Sequence, residues 1–408
     1  MKLAMTNARV FDGNQYHATA THTLFIEDGI IVGLRQKGPI PTGYRVLDLN
    51  GMTLLPGFID LHVHLGMYHN VPDQKRYQRF AFAKVLYLAL QRAREALFGG
   101  VTTMREVGGR LGEAVVIRDA IHAGVLPGPN LYTSGDSITF TGGHAFFEAD
   151  GEWALRKAVR QQFRAGADLI KIGQSDDFDR PGFTTDELRA LCDEVHRVGK
   201  RLAVHIDREP GYAMAVEAGV DTVEHGFFPA EQTLDRMGER GTYWVPTISI
   251  NRGMRHDEHT ADRYETVLFD AFHHHRGWSV TESKRRARIM REAFEAFPRC
   301  FARGLEKGIK IVTGTDVPLA GLPMDAVKNE IIKFVHWGMT PEQALAAGTS
   351  LAAEALGVEA DIGVLSEGKR ADVIVLAGDP IADIEAIDQV KIVVKDGTIV
   401  RDDLKFIT

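Results

Sequence analysis

Two histidines spaced by one residue, His62-Val63-His64, end the first of a series of short apolar runs. Along an extended strand alternate side chains share a face, so both imidazoles can reach one ion. The pattern continues downstream. Lys171 stands between Ile170 and Ile172, His205 falls near the end of RLAVHI, His225 near the end of DTVEHG, and Asp316 ends KIVTGTD. Each residue alone has an ordinary reading: an inward histidine is most often a satisfied core residue, and Asp316 could cap a turn. Their joint placement at the same end of successive runs points instead to a metal site. Nitrogen and oxygen donors without thiolate suit Zn first, with Mn, Co or Fe as substitutes.

Lys171 calls for separate treatment, because an ammonium inside an apolar strand is disfavoured unless paired or neutralised. Burial lowers a lysine pKa, and the neutral amine can add carbon dioxide to give a carbamate able to bridge two cations. The alternative is an ion pair with Asp168 or Asp316. Around this set, His144 in the glycine-rich TGGH stretch is a candidate catalytic and substrate ligand, or a loop histidine in the site wall. Arg105, near the end of VTTMREV, could bind a substrate carboxylate or pair with Glu106. Phe227 and Phe228 follow His225, and Phe146 and Phe147 follow His144; Phe228 is the aromatic assigned to the substrate wall. Asp316 is the strand-end carboxylate expected to shuttle a proton. The run His273-His274-His275 reads as a solvated helix, since consecutive helical residues point to different faces.

The elements that must position these residues have two rhythms. Strand candidates at 57–64, 101–107, 130–135, 168–173, 201–206, 221–226, 242–248 and 310–316 alternate with helical stretches such as TTDELRALCDEVHRVGK. Eight βα units predict an α/β fold closed as a (β/α)8 TIM barrel, whose active sites form at the C-terminal strand ends. Residues 249–309, rich in His, Arg and Glu, read as a helical insertion at the barrel mouth. Both termini differ from this middle. ARVFDG, TLFIEDGIIVGL and RVLDLNGMTLLP at one end, and ADVIVLAGDP and VKIVVKDGTIV at the other, are β-rich runs with Asp-Gly or Asn-Gly turns. The expected organisation is a composite antiparallel β-sandwich domain from 1–56 and 360–408 around a barrel at 57–359.

Composition narrows the partners. The 408 residues are 44% hydrophobic and 25% charged, which excludes disordered and fibrous classes. No apolar run approaches the ~20 residues of a membrane span. A formal net charge of −7 without a basic stripe argues against nucleic acid. Two cysteines, Cys192 and Cys300, suit a reducing compartment, and the polar start MKLAMTNARVFDG shows no signal peptide, so a cytoplasmic location is expected. Sixteen histidines are the unusual count.

LPGFIDLHVHLG, TTMREVGG, TGGH, GADLIKIG, LAVHI, VEHG, VTGTD and the AAGTSLAAEALG…GKRADVIVLAGDP segment, in this order, resemble the amidohydrolase superfamily. The lysine and TGGH are most similar to its prolidase and Xaa-amino-acid dipeptidase group. The resemblance covers the chain except 249–309 and implies a barrel with a coupled β-sandwich. It implies that His62, His64 and Asp316 hold the more buried of two divalent ions and His205 and His225 the more exposed one. It also implies that a carbamate on Lys171 bridges them. The chemistry that follows is attack of a metal-bridging hydroxide on an amide carbonyl, with Asp316 moving the proton. A dipeptide, Xaa-Pro or another, or an N-acyl amino acid is the expected small-molecule substrate. Hydrolysis of a cyclic amide, lactone or organophosphate ester is the alternative, and a non-catalytic scaffold is disfavoured because no ligand is missing. Relatives of this kind form homo-oligomers, the expected state here.

Overall fold

The computed structural model describes residues 2–36, 38–67, 82–109, 112–143, 145, 147–175, 181–250 and 279–405. Both ends of the chain build one sheet. Its strands are β1 (Lys2–Phe11), β2 (Tyr16–Glu27), β3 (Ile30–Gln36), β4 (Arg45–Asp48) and β5 (Thr53–Pro56) from the N-terminal piece. The C-terminal piece supplies β15 (Val373–Leu376), β16 (Val390–Lys395) and β17 (Thr398–Asp402). The order is β17-β16-β15-β5-β1-β2-β3, with β4 also on β1. The expected antiparallel sheet is therefore mixed. Hairpins reverse the chain twice between β1 and β3, and the following loop brings β4, then β5, back parallel to β1.

A bulge decides which side chains of β1 face the small core. Leu3 and Met5 are buried in it, register slips at Asn7 (φ 55°), and Ala8 and Val10 take over with the opposite parity. In β15 and β16 both faces are buried. Val373, Val375, Ile392 and Val394 join the small core, while Ile374, Leu376, Val390 and Val393 join the large one. That explains an unbroken VIVL run where a one-sided strand would alternate. Two Asp-Gly hairpin turns meet at the sheet's end, Asp28-Gly29 and Asp396-Gly397, with all four residues at positive φ as type I′ turns require. A Cβ on Gly397 would lie 2.7 Å from the Gly29 Cα, so only glycine allows this approach.

The middle of the chain forms parallel strands separated by helices. β6 (Phe58–Val63), β7 (Val101–Glu106) and β8 (Asn130–Thr133) make a three-stranded sheet. β9 (Ile138–Thr139), β10 (Phe147–Glu148), β11 (Ile170–Gly173), β12 (Leu202–Arg208), β13 (Thr222–Phe228) and β14 (Tyr243–Val245) make a six-stranded one. The eighth expected strand, 310–316, is an irregular segment joining the two. It bridges to β14 at Trp244–Ile311 and to β6 at Val63–Val317, and the Leu61 N–H donates to the Thr313 carbonyl at 3.1 Å. Helix Thr185–His196 opens on a capping box of Thr184 and Glu187, as TTDE predicts. Within 249–309, the described half is one helix, Val280–Glu306. Its Phe297 and Phe301 pack tilted against Trp244 at 5.5 and 6.3 Å between centroids, so the helix lies against β14. Residues 251–278, including His273-His274-His275, lie outside the described residues. No helix among the described residues is long and apolar enough to cross a membrane.

Candidate metal centre

Four imidazoles converge at the C-terminal strand ends. Ring centroids are 5.3 Å apart for His62–His64, 4.8 Å for His62–His225 and 4.6 Å for His205–His225. Strand alternation explains the first pair, one buried and one half-buried. It does not explain the third. Thr222 and Glu224 share the inner face of β13, which would turn His225 outward, yet His225 adopts a left-handed φ of 67° and faces His62 and His205. Asp316 is also left-handed, at 60°. Such conformations in non-glycine residues cost ~1–3 kcal/mol and persist where the surroundings enforce them. Asp60 does so for Asp316: its Oδ1 accepts from the His62 and Thr315 amides at 3.2 and 3.1 Å, and its Oδ2 from Thr315 Oγ1 at 2.6 Å.

The hydrogen bonds also assign the ring protons. His64 Nδ1 lies 3.1 Å from the Gly108 carbonyl, which only accepts. His62 Nδ1 lies 2.7 Å from Glu224 Oε2. Thr247 Oγ1 donates to the Pro246 carbonyl at 2.8 Å and so accepts from His225 Nδ1 at 2.7 Å. Three imidazoles thus carry the proton on Nδ1, which leaves Nε2 unprotonated and able to act as a ligand atom. Asp316 Oδ1 is 3.2 Å from His64 Nε2 and 3.6 Å from His62 Nε2. Ligand atoms of His62, His64 and Asp316 all lie within 4.8 Å of one another. His62 Nε2 and Asp316 Oδ1 are buried without a hydrogen-bond partner. A divalent cation would satisfy both, so this donor set fits one.

Electrostatics agree with ligand chemistry. Burial, aided by the Lys171 charge, pushes His62 down to about 3, so it is neutral at physiological pH. Burial alone would raise Asp316, but His62, His64 and Lys171 hold its carboxyl at about 2. Burial lowers Lys171 to about 8 against the pull of Glu224 and Asp316, leaving a usable fraction of free amine. Asp168 is not its partner: that carboxylate takes Arg118 Nη1 at 2.8 Å and the Thr133 amide at 3.0 Å. His205 departs from the pattern. Its Nε2 is 3.3 Å from Asp207 Oδ2, which accepts from Ser175 Oγ at 2.5 Å.

Other candidates fall elsewhere. Arg105, expected at the rim, is 1% exposed beneath the site and bonded to Leu61, Thr222 and Glu224. Alternation along β7 turns it to the inner face, and Glu224 rather than Glu106 is its partner. Phe227 is buried, stacking on His225 at 6.1 Å and meeting Phe297 at 6.0 Å, so it packs the core. His144, Phe146 and the Phe228 side chain lie outside the described residues. Nor is Asp316 the sole acid at the strand ends, since Glu106, Asp207 and Glu224 are also buried there. Sequence reasoning passed over Glu224 and Asp60; their one signal was parity, Thr222/Glu224 on β13 and Asp60/His62 on β6.

Parallel strands gather histidines, a buried lysine and an aspartate at one end, and His62, His64 and Asp316 among them could hold a metal ion. The chain matches the amidohydrolase family over residues 53–400 and belongs to it. Among curated proteins it is similar to an ochratoxinase of Aspergillus niger, 27% identical over 91% of this chain and 80% of that protein. A solved Xaa-Pro dipeptidase with bound methionine in its active site is 28% identical, with a TM-score of 0.85 over 98% of this chain and all of that one. A structure described as a putative prolidase from Bifidobacterium longum is 26% identical, with a TM-score of 0.81 over 98% of this chain and 94% of that one.

Proposed function

We propose that the chain is a metal-dependent hydrolase of the amide bond in a dipeptide or N-acyl amino acid. In this reading its parallel strands and the 310–317 segment close as a (β/α)8 barrel, and its terminal pieces form a composite β-sandwich. The observation that carries the proposal is the set of three Nδ1-committed imidazoles, two of which present Nε2 to Asp316. His62, His64 and Asp316 would hold one divalent ion, Zn first, and His205 and His225 a second, with a carbamate on Lys171 between them. When bound, the ions supply a nucleophile at neutral pH and polarise the scissile carbonyl.

The chain's own residues do the rest. The Lys171 amine, kept from full protonation by burial, can take up carbon dioxide and release a proton as the carbamate forms. The Asp316 carboxylate, kept ionised with its pKa lowered to about 2, can accept a proton at the oxygen not facing the ion and pass it to the leaving nitrogen. His144 would orient the substrate and Phe228 line its wall. Because Arg105 is already committed, a substrate carboxylate would fall to His144. The similarity to a Xaa-Pro dipeptidase supports a dipeptide, and that to an ochratoxinase keeps other amides in view.

The test is a library of dipeptides and N-acyl amino acids on Zn-loaded protein, each free acid compared with its C-terminal amide. A charge-assisted hydrogen bond of ~1.5–3 kcal/mol to the carboxylate favours the free acid by roughly tenfold or more in kcat/KM. Equal rates, or activity confined to cyclic amides, lactones or phosphotriesters, would reject the dipeptide reading.

A further inference from the structure

Arg105 is among the bulkiest fully buried side chains, and each arm of its guanidinium has its own acceptor. Nε donates to the Leu61 carbonyl at 2.5 Å, Nη1 to Thr222 Oγ1 at 3.0 Å and Nη2 to Glu224 Oε1 at 2.7 Å. Leu61 is the residue before His62 on β6, and Thr222 and Glu224 belong to β13. One rigid planar group on β7 therefore fixes both the main chain beside His62 and the carboxylate that meets its ring. Glu224 is equally committed. Oε1 also accepts from Thr222 Oγ1 at 2.5 Å, and Oε2 lies 2.7 Å from His62 Nδ1. An ionised carboxylate only accepts, so His62 must be the donor in that last contact.

We infer that Arg105 and Glu224 are positioning residues for His62: they hold its ring in the Nδ1–H tautomer with Nε2 presented to Asp316, and so set the metal affinity of the centre from beneath it. The inference rests on the ligand role proposed for His62. A buried ion pair is weak grounds for stability, since well-packed apolar residues of similar volume do as well or better. A carboxylate behind a ligating histidine does have a specific effect. It fixes the ring and raises its basicity, and its loss weakens metal binding by ~10–100-fold. The competing account is a plain brace across β6, β7 and β13, which predicts loss of fold without a separate effect on metal.

Two measurements on the full chain separate these accounts. The first uses metal-free wild type: the ¹H–¹⁵N histidine spectrum should contain an Nδ1–H imidazole, deshielded by the carboxylate and assigned by its loss in His62→Gln. A proton on Nε2 of His62 overturns the inference, and this result does not depend on any metal binding or on how the Arg105 and Glu224 variants fold. The second compares zinc affinity by chelator competition with the melting temperature of the metal-free protein. In Arg105→Met/Glu224→Leu, which removes both charges together, zinc affinity should fall ~10–100-fold while the metal-free melt stays near wild type. Wild-type zinc affinity in that folded variant overturns the inference. Should wild type retain Nδ1–H but bind no zinc at all, the proposed function fails and the positioning of His62 stands.

Discussion

Gly314→Ala tests whether the segment carrying Asp316 is held at contact distance from His62. An ideal Cβ at residue 314 would lie 2.3 Å from Val245 Cγ1, 2.8 Å from His62 Cβ and 3.2 Å from the His62 nitrogen. The valine methyl can swing away. The His62 main chain cannot, because Asp60 accepts from its amide and the Thr315 and Asp316 amides both donate to its carbonyl. Carbon atoms settle at ~3.5–4.0 Å, so residues 313–316 must retreat by roughly 0.7–1.2 Å. Overpacking of this kind costs ~1–3 kcal/mol. With an unfolding entropy of ~2.1 cal/mol/K per residue, a 408-residue chain would lose only ~1–4 °C of Tm. The site suffers more: Asp316 Oδ1 now lies 3.2 Å from His64 Nε2, and a displacement near 1 Å costs on the order of 10²-fold in rate. Calorimetry, elemental analysis after dialysis and kcat of the zinc-loaded variant would read the three effects separately. Wild-type kcat and metal content in Gly314→Ala would refute the close-contact argument, as would a variant that retains its metal but fails to fold.

Three further outcomes are expected. Lys171→Ala should lower both metal content and turnover, with partial recovery on adding a short carboxylic acid; one ion per chain in active wild type would rule out the two-ion reading. Asp316→Asn should cut kcat by at least ~100-fold in protein that keeps much of its metal, the scale of lost acid–base catalysis. A metal-loaded variant with near-normal kcat would remove the proton role. Away from the site, the hydrogen bond to Asp221 raises His196 above its ordinary 6.5. Its stabilisation is complete below that value and disappears as pH climbs through the raised one, so the urea-midpoint gap between wild type and His196→Gln should shrink as pH rises past 6.5. A gap that stays constant would mean the pair is not its source.

What could be read in the chain beforehand was whatever depends on short-range repetition. His62-Val63-His64 follows from strand parity, and Lys171 between two isoleucines signals an odd burial. The Asp-Gly turns mark hairpins at both ends. What could not be read is what depends on partners far apart in sequence or on broken parity. Arg105 and Glu224 are 119 residues apart, and nothing local to either names the other. His225 and Asp316 reach the centre through left-handed backbone, whereas an alternation rule would send His225 outward. KIVTGTD has strand composition yet forms only isolated bridges, because Gly314 is pressed against β6 and Asp60 gathers the amides around it.

The composite sheet has a consequence for how the chain is born. β5 pairs on one side with Arg9 and Val10 of β1, and on the other with β15, Pro56 opposite Val373. Roughly 320 residues separate those partners, a closure whose entropic cost is ~5 kcal/mol before any contact offsets it. At ~5–20 residues per second, synthesis leaves the apolar TLLP edge without its partner strand for on the order of 15–60 s. During that interval the nascent chain carries an open edge of the kind that recruits other strands. The last few dozen residues thus act as a latch: a ribosome that stops short of β15 releases a protein whose first sheet is still looking for its neighbour.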